Sequence, residues 1–157
     1  MTDNDIYITM RKIFVDAPRP EHFTNYLHCE ECREHDDLLR SKDVDSLSFK
    51  DIGNSGWSPV PFMTEEAMRY YFPALVRVAL DPELKGSPVN FLGILFFNLG
   101  HDNLKKFVLF NNEERKAVLA LLNHLKGSLS ERFGYDEDDS KELEPLIEKW
   151  TKFSEEN

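Results

Sequence analysis

Apolar positions recur at helical spacing along most of this chain. Ile6, Met10, Ile13 and Phe14 follow i, i+4, i+7, i+8 and predict a first helix, capped by Asp3 or Asn4 and stopped at Pro18. Residues 21–40, EHFTNYLHCEECREHDDLLR, read as one helix: Pro20 suits a first turn and no Gly or Pro follows before Ser41. At about 100° per residue, Phe23, Leu27 and Leu38 share one face of that helix, and His28, Cys32, His35 and Leu39 share another. The polar stretch after Ser41 leads to KDIGNSGWSPVPF. There Trp57, Val60 and Phe62 carry too much apolar surface for a tether, which predicts an ordered loop folded back on the domain.

Thr64, followed by Glu65 and Glu66, has the form of a helix start, and Met68, Phe72, Leu75, Val76 and Ala79 continue it as a buried stripe that Pro73 should kink or split. VNFLGILFFNLG is apolar nearly all round and predicts a central buried helix ended by Gly100. A short helix or turn follows over residues 101–110, with Leu104, Phe107 and Val108 inward. Asn111 and Glu114 form a capping pattern for a helix whose stripe is Val118, Leu122, Leu125, Leu129 and Phe133, closed by Gly134. A last helix from about Asp138 points Leu143, Leu146, Ile147, Trp150 and Phe153 inward. The fold expected is all-α, a single-domain bundle of six or seven helices with a long ordered Gly/Pro/Trp loop; 157 residues suffice for a core without staples.

Charge narrows the partners. A formal net charge of -10 disfavours nucleic acid, and residues 131–157 alone hold ten acids against four bases, a net of -6. No apolar run approaches a membrane span, and two cysteines three apart suggest free thiols in a reducing compartment, so the protein is expected to be cytoplasmic. An acidic surface can steer a basic protein partner, with Glu30, Glu31, Glu34, Asp36, Asp37, Asp136, Glu137, Asp138 and Asp139 as the candidate contact residues.

Residues 21–40 also hold the candidate chemistry. On a continuous helix, His28-x3-Cys32-x2-His35 brings two imidazoles and a thiol together, with Cys29 outside that group; these four residues are the candidate ligands for zinc. Nothing in the spacing selects among His22, His101 and His124 as a distant ligand, so the expectation is no tightly bound metal, with zinc as the alternative. A redox role for Cys29 and Cys32 is disfavoured on a mid-helix placement, where five neighbouring acids would raise the thiol pKa and the geometry would forbid a bridge. Glu30 and Glu34 fall on the Phe23, Leu27, Leu38 face, which predicts that at least one is partly buried and ties the Gly56-Trp57 loop to the helix. No G-x-S-x-G, P-loop, H-E-x-x-H or dinucleotide fingerprint occurs, so catalysis is not favoured.

The series PRPEHF, CEECREH and DIGNSGWSPVPFMTEEAMRYYFPAL, spanning about residues 18–80 with a weaker echo in NEERKAVLALL, resembles a family of small bacterial proteins known as a domain of unknown function. The resemblance implies a bacterial, cytoplasmic protein in which the cysteine segment and the Trp57 loop form one recurring unit; it brings no catalytic residues. Size, acidity and the missing catalytic motifs together suggest a non-enzymatic binding protein, an immunity protein or antitoxin acting on a toxin domain. The alternative is a metal-binding or hydrolytic protein built on the Cys/His/Glu cluster of residues 28–36.

Overall fold

The computed structural model describes residues 1–84, 91–133, 141 and 143–156. Among these residues the regular elements are all helical. Six of the described helices have nine or more residues: α1 (Asp3–Ile13), α2 (Glu30–Arg40), α4 (Glu65–Ala79), α5 (Leu92–Gly100), α6 (Asn112–Lys126) and α8 (Leu143–Glu155). Two are short, α3 (Phe49–Ile52) and α7 (Leu129–Phe133), and 3-10 turns lie at Val60–Phe62, Pro82–Leu84 and Asp102–Phe107. Extended pairing among the described residues is limited to one bridge, Thr24 with Met63. No described helix is long and apolar enough to cross a membrane.

Local sequence explains most boundaries. Thr2, not Asp3 or Asn4, caps α1, its hydroxyl accepting from the Asp5 N–H while the Asp5 carboxylate accepts from the Thr2 N–H. Phe14 already ends α1, four residues before the proline expected to do so. Thr64 caps α4 as expected, and α4 runs unbroken through Pro73. Ten of its fifteen residues are buried, including Pro73, so packing on all sides outweighs the hydrogen bond that the proline cannot make. Asn111 and Glu114 form the expected capping box on α6, but Gly127 ends that helix, and Leu129 continues the apolar stripe from the separate α7. Gly134 and Asp138, expected as helix boundaries, lie outside the described residues.

Within the core α4 packs on α1, α5 and the Asp102–Phe107 turn, α6 packs on α8 and α1, and the buried residues form one cluster from Ile6 to Trp150. Phe14, Phe72, Phe107 and Phe110 meet at ring separations of 5.1–6.4 Å, and Trp150 closes on Phe107 at 5.0 Å while its indole N–H donates to the Leu99 carbonyl. Two apolar expectations fail. Val108 is exposed because the chain turns through left-handed conformations at Asp102, Asn103 and Leu104, rotating the following residues outward. In α5, Leu92, Leu95 and Leu99 are buried but Phe97 is 61% exposed, so this helix lies at the edge of the core and not at its centre.

Polar contacts from α4 fix the stretch that carries the thiols. The Tyr71 hydroxyl lies at hydrogen-bond distance from the Leu39 and Lys42 carbonyls at the end of α2. Six residues further along α4, Arg77 donates to the Val44 and Leu47 carbonyls. The loop after α3 folds back as expected, with Val60 fully buried and Phe62 half-buried; Trp57 stays 45% exposed.

Candidate functional site

The helix expected over residues 21–40 begins only at Glu30. Upstream, a buried carboxylate competes for the backbone. Asp36 accepts from the Phe23 N–H at 2.6 Å and the Thr24 N–H at 3.3 Å, and sits 2.8 Å from His22 Nδ1. Thr24 in turn donates its hydroxyl to the Cys32 carbonyl at 2.7 Å, and the Thr64 N–H donates to the Phe23 carbonyl. Residues 22–24 are thereby held beside α2 outside any helix, with Thr24 bridged to Met63, and a turn closed by the His28 N–H on the Asn25 carbonyl leads into the helix.

This placement moves the cysteines from mid-helix to a helix N-terminus. Cys29 is the N-cap residue, extended at φ -162° and ψ 172°, and its sulfur accepts from the Cys32 N–H at 3.3 Å. A sulfur thus fills the role usually taken by the oxygen of Ser, Thr, Asp or Asn. Cys32 lies in the first turn and is 4% exposed, Cys29 is exposed, and the two Sγ atoms are 3.1 Å apart. His28 Nδ1 stands 3.7 Å from Cys32 Sγ.

The two thiols are electrostatically unlike. Hydrogen bonds from the Cys32 thiol, the Cys32 backbone N–H and His28 stabilise the Cys29 thiolate and lower its pKa from 9.0 to about 7. Cys32 is pushed up, because its thiol donates a hydrogen bond to the Cys29 thiolate, is buried, and faces the negative charge of both Cys29 and Glu31. An accessible, readily ionised sulfur therefore lies against a buried, protonated one. The expectation that nearby acids would raise both thiol pKa values is overturned for Cys29, and so is the expectation that helix geometry keeps the two sulfurs apart. The hydrogen bonds at the helix start act directly on the sulfur and outweigh more distant side-chain charge.

The remaining candidates separate. The trio that comes together is His28, Cys29 and Cys32, whose ligand atoms all lie within 4.8 Å of one another. His35, expected as the third ligand, is buried one turn away between Trp57 and Phe62 at ring separations of 4.9 and 5.0 Å, with Nε2 3.1 Å from Glu31. His22 is engaged with Asp36, and His124 with Asp3 at 2.6 Å. His101 stacks on Phe97. At least one of Glu30 and Glu34 is expected to be partly buried, yet both are exposed, as is Asp37; Glu31 is half-exposed, and the buried acid of this helix is Asp36. A helix starting after Cys29 turns Cys32, His35, Asp36 and Leu39 inward, at i, i+3, i+4 and i+7. Asp136, Glu137, Asp138 and Asp139 lie outside the described residues.

Asp36 is thus the residue that shapes the site. Replacing it with Ala leaves the buried Phe23 and Thr24 N–H groups without an acceptor, and the expected loss is about 3 kcal/mol by urea denaturation. Hydrogen exchange at those two amides should rise in the same variant. Unchanged protection would show that another group holds this segment.

No family model, no curated protein and no solved structure matches this chain. The site is accordingly read from its own geometry.

Proposed function

We propose that this protein exchanges thiols with disulfides, with Cys29 as attacking sulfur and Cys32 as resolving sulfur. The observation that carries the reading is the Cys29 N-cap, which sets an accessible sulfur 3.1 Å from a buried one at the start of an eleven-residue helix. The Cys29 thiolate attacks one sulfur of a disulfide R–S–S–R; that bond breaks, one RS⁻ leaves and takes a proton from solvent, and a mixed disulfide forms on Cys29. Cys32 then gives up its proton, and His28 Nδ1, 3.7 Å from its sulfur, is placed to take it. The Cys32 thiolate attacks Cys29 Sγ, forming the internal disulfide and releasing the second RS⁻, which is protonated in turn. Two electrons pass to the substrate, and the pair is oxidised. Closing the bond requires the sulfurs to approach from 3.1 Å to about 2.05 Å, a motion of one N-cap side chain.

The same trio offers donors that suit zinc, and the spacing argues for sulfur chemistry instead. Two thiolates at about 2.3 Å from a tetrahedral zinc stand roughly 3.8 Å apart, against 3.1 Å here. Among the described residues the group also offers three donors, against the usual four of a structural site.

Intact-mass analysis after mixing the reduced protein with hydroxyethyl disulfide tests the reading. Wild type should lose two hydrogens, Cys32→Ser should accumulate the mixed disulfide on Cys29, and Cys29→Ser should stay unmodified. Elemental analysis of protein purified without chelator should find no stoichiometric metal. One equivalent of zinc that survives dialysis and blocks the exchange would replace this reading with a metal centre. An immunity or antitoxin role remains a separate proposal, motivated by acidity and size, and no feature of this site selects a toxin as partner.

A further inference from the structure

The surroundings of Cys29 bear on which disulfide it meets. Glu30 and Glu31 occupy the first turn of α2, and Glu34 and Asp37 follow on the same helix; three are exposed and Glu31 is half-exposed. Arg33 is the one exposed cation among them. Four carboxylates against one guanidinium leave a formal charge of -3 along residues 30–37 of the helix that Cys29 caps, and ionised Cys29 adds to it. Asp36 does not count here, since it is buried against His22, Phe23 and Thr24. One effect opposes this charge: the helix N-terminus carries a partial charge of about +0.5, which draws anions. That charge acts within the first turn, on the sulfur itself. A substrate's charged groups sit several atoms beyond its disulfide, where the side-chain charges dominate.

Apolar surface borders the same ground. Leu27, two residues before Cys29, is 76% exposed, and Trp57 packs on His35 one turn below Cys32 while remaining partly open to solvent. Exposed large apolar residues beside a reactive thiol supply non-polar contact without charge preference, so discrimination falls to the carboxylates.

We infer that the site selects cationic disulfides, those with positive charge beside the sulfurs and apolar surface next to it, over anionic ones such as oxidised glutathione. The inference rests on the exchange reading above and adds the substrate class to it. It also gives the acidic surface a role in steering a basic partner, through Glu30, Glu31, Glu34 and Asp37 of this helix.

The experiment compares three small disulfides against the reduced full chain: cystamine, a dication; hydroxyethyl disulfide, neutral; and oxidised glutathione, an anion. Each rate is divided by that of the same disulfide with a neutral small-molecule thiol, which removes differences between leaving groups. In low salt the normalised rate for cystamine should exceed that for oxidised glutathione by about tenfold or more, with hydroxyethyl disulfide between them. Raising salt to about 1 M, where the screening length is near 3 Å, should bring the ratio towards one. Glu30→Gln with Glu34→Gln, both exposed, should reduce the normalised ratio several-fold. Equal normalised rates, or a ratio indifferent to salt and to this double variant, would overturn the substrate inference and leave the exchange reading standing. Rates no faster than those of Cys29→Ser for all three disulfides would overturn both.

Discussion

Iodoacetamide should alkylate Cys29 with a half-maximal rate near pH 7, while Cys32 in the folded protein stays unreacted. The contrast follows from exposure and from the hydrogen bonds that converge on Cys29. At pH 7 a thiol of pKa 7 is about half ionised, and one of pKa 9 about one part in a hundred, a fiftyfold difference in thiolate. Lower basicity makes each thiolate less nucleophilic, by roughly tenfold over two pKa units, so the net gain at neutral pH is about fivefold. Removing the strongest cause tests the origin of the effect. Cys32→Ser replaces the thiol donor and should shift the midpoint measurably, whereas His28→Ala removes the weaker histidine contribution and should raise the midpoint by less. The sign extends to folding. A thiol whose folded pKa lies below its unfolded value adds stability at pH above the unfolded value, and that contribution is lost as pH falls through 7. A wild-type midpoint near pH 9 would remove the basis for treating Cys29 as an activated sulfur.

The frame of this fold was legible in the chain, and the site was legible only in part. Long stripes such as Val118, Leu122, Leu125 and Leu143, Leu146, Trp150 identify helices because each local segment buries one face, and the capping signals at Thr64 and Asn111 act within four residues. Over residues 21–29 every local signal permits a helix. What prevents one is a carboxylate thirteen residues downstream in sequence, Asp36, together with the pairing of Thr24 to Met63. Neither contact has a local signature. A helix begun nine residues earlier, at Glu21, takes Cys29 into its interior, sets His28 and His35 on one face and turns Glu30 or Glu34 inward. A single boundary thus carried the errors in ligand set, thiol pKa and acid burial. The remaining cue was weak, since cysteine is not among the residues that ordinarily mark an N-cap.

Glu114 shows the same limit in the core and leads to the larger expected loss of stability. Its sequence position marks it as the third residue of a capping box, a place normally open to solvent, and it does accept from the Asn111 N–H at 3.1 Å. The side chain is nevertheless fully buried, because Arg69 of α4 reaches across and donates through Nε and Nη2 to both carboxylate oxygens at 2.9–3.1 Å. A two-point guanidinium–carboxylate pair of this kind joins α4 to α6 at a fixed height. Arg69→Met keeps much of the aliphatic length of the side chain but removes the charge, leaving a buried carboxylate with one backbone donor. The expected cost is about 3–5 kcal/mol by urea denaturation, a large share of the roughly 5–15 kcal/mol of a typical domain. Glu114→Gln alone keeps a side chain able to accept from Asn111 and should cost less. The double variant should be more stable than the sum of the two single losses requires, because it leaves no unpaired charge in the core. Additive losses, or a cost below about 1 kcal/mol for Arg69→Met, would mean that water reaches the carboxylate and that the pair does not hold α4 and α6 together. Thiol alkylation in the same variant separates frame from site: Arg69 contacts none of the groups that set Cys29, so under conditions where the variant is folded the midpoint near pH 7 should persist.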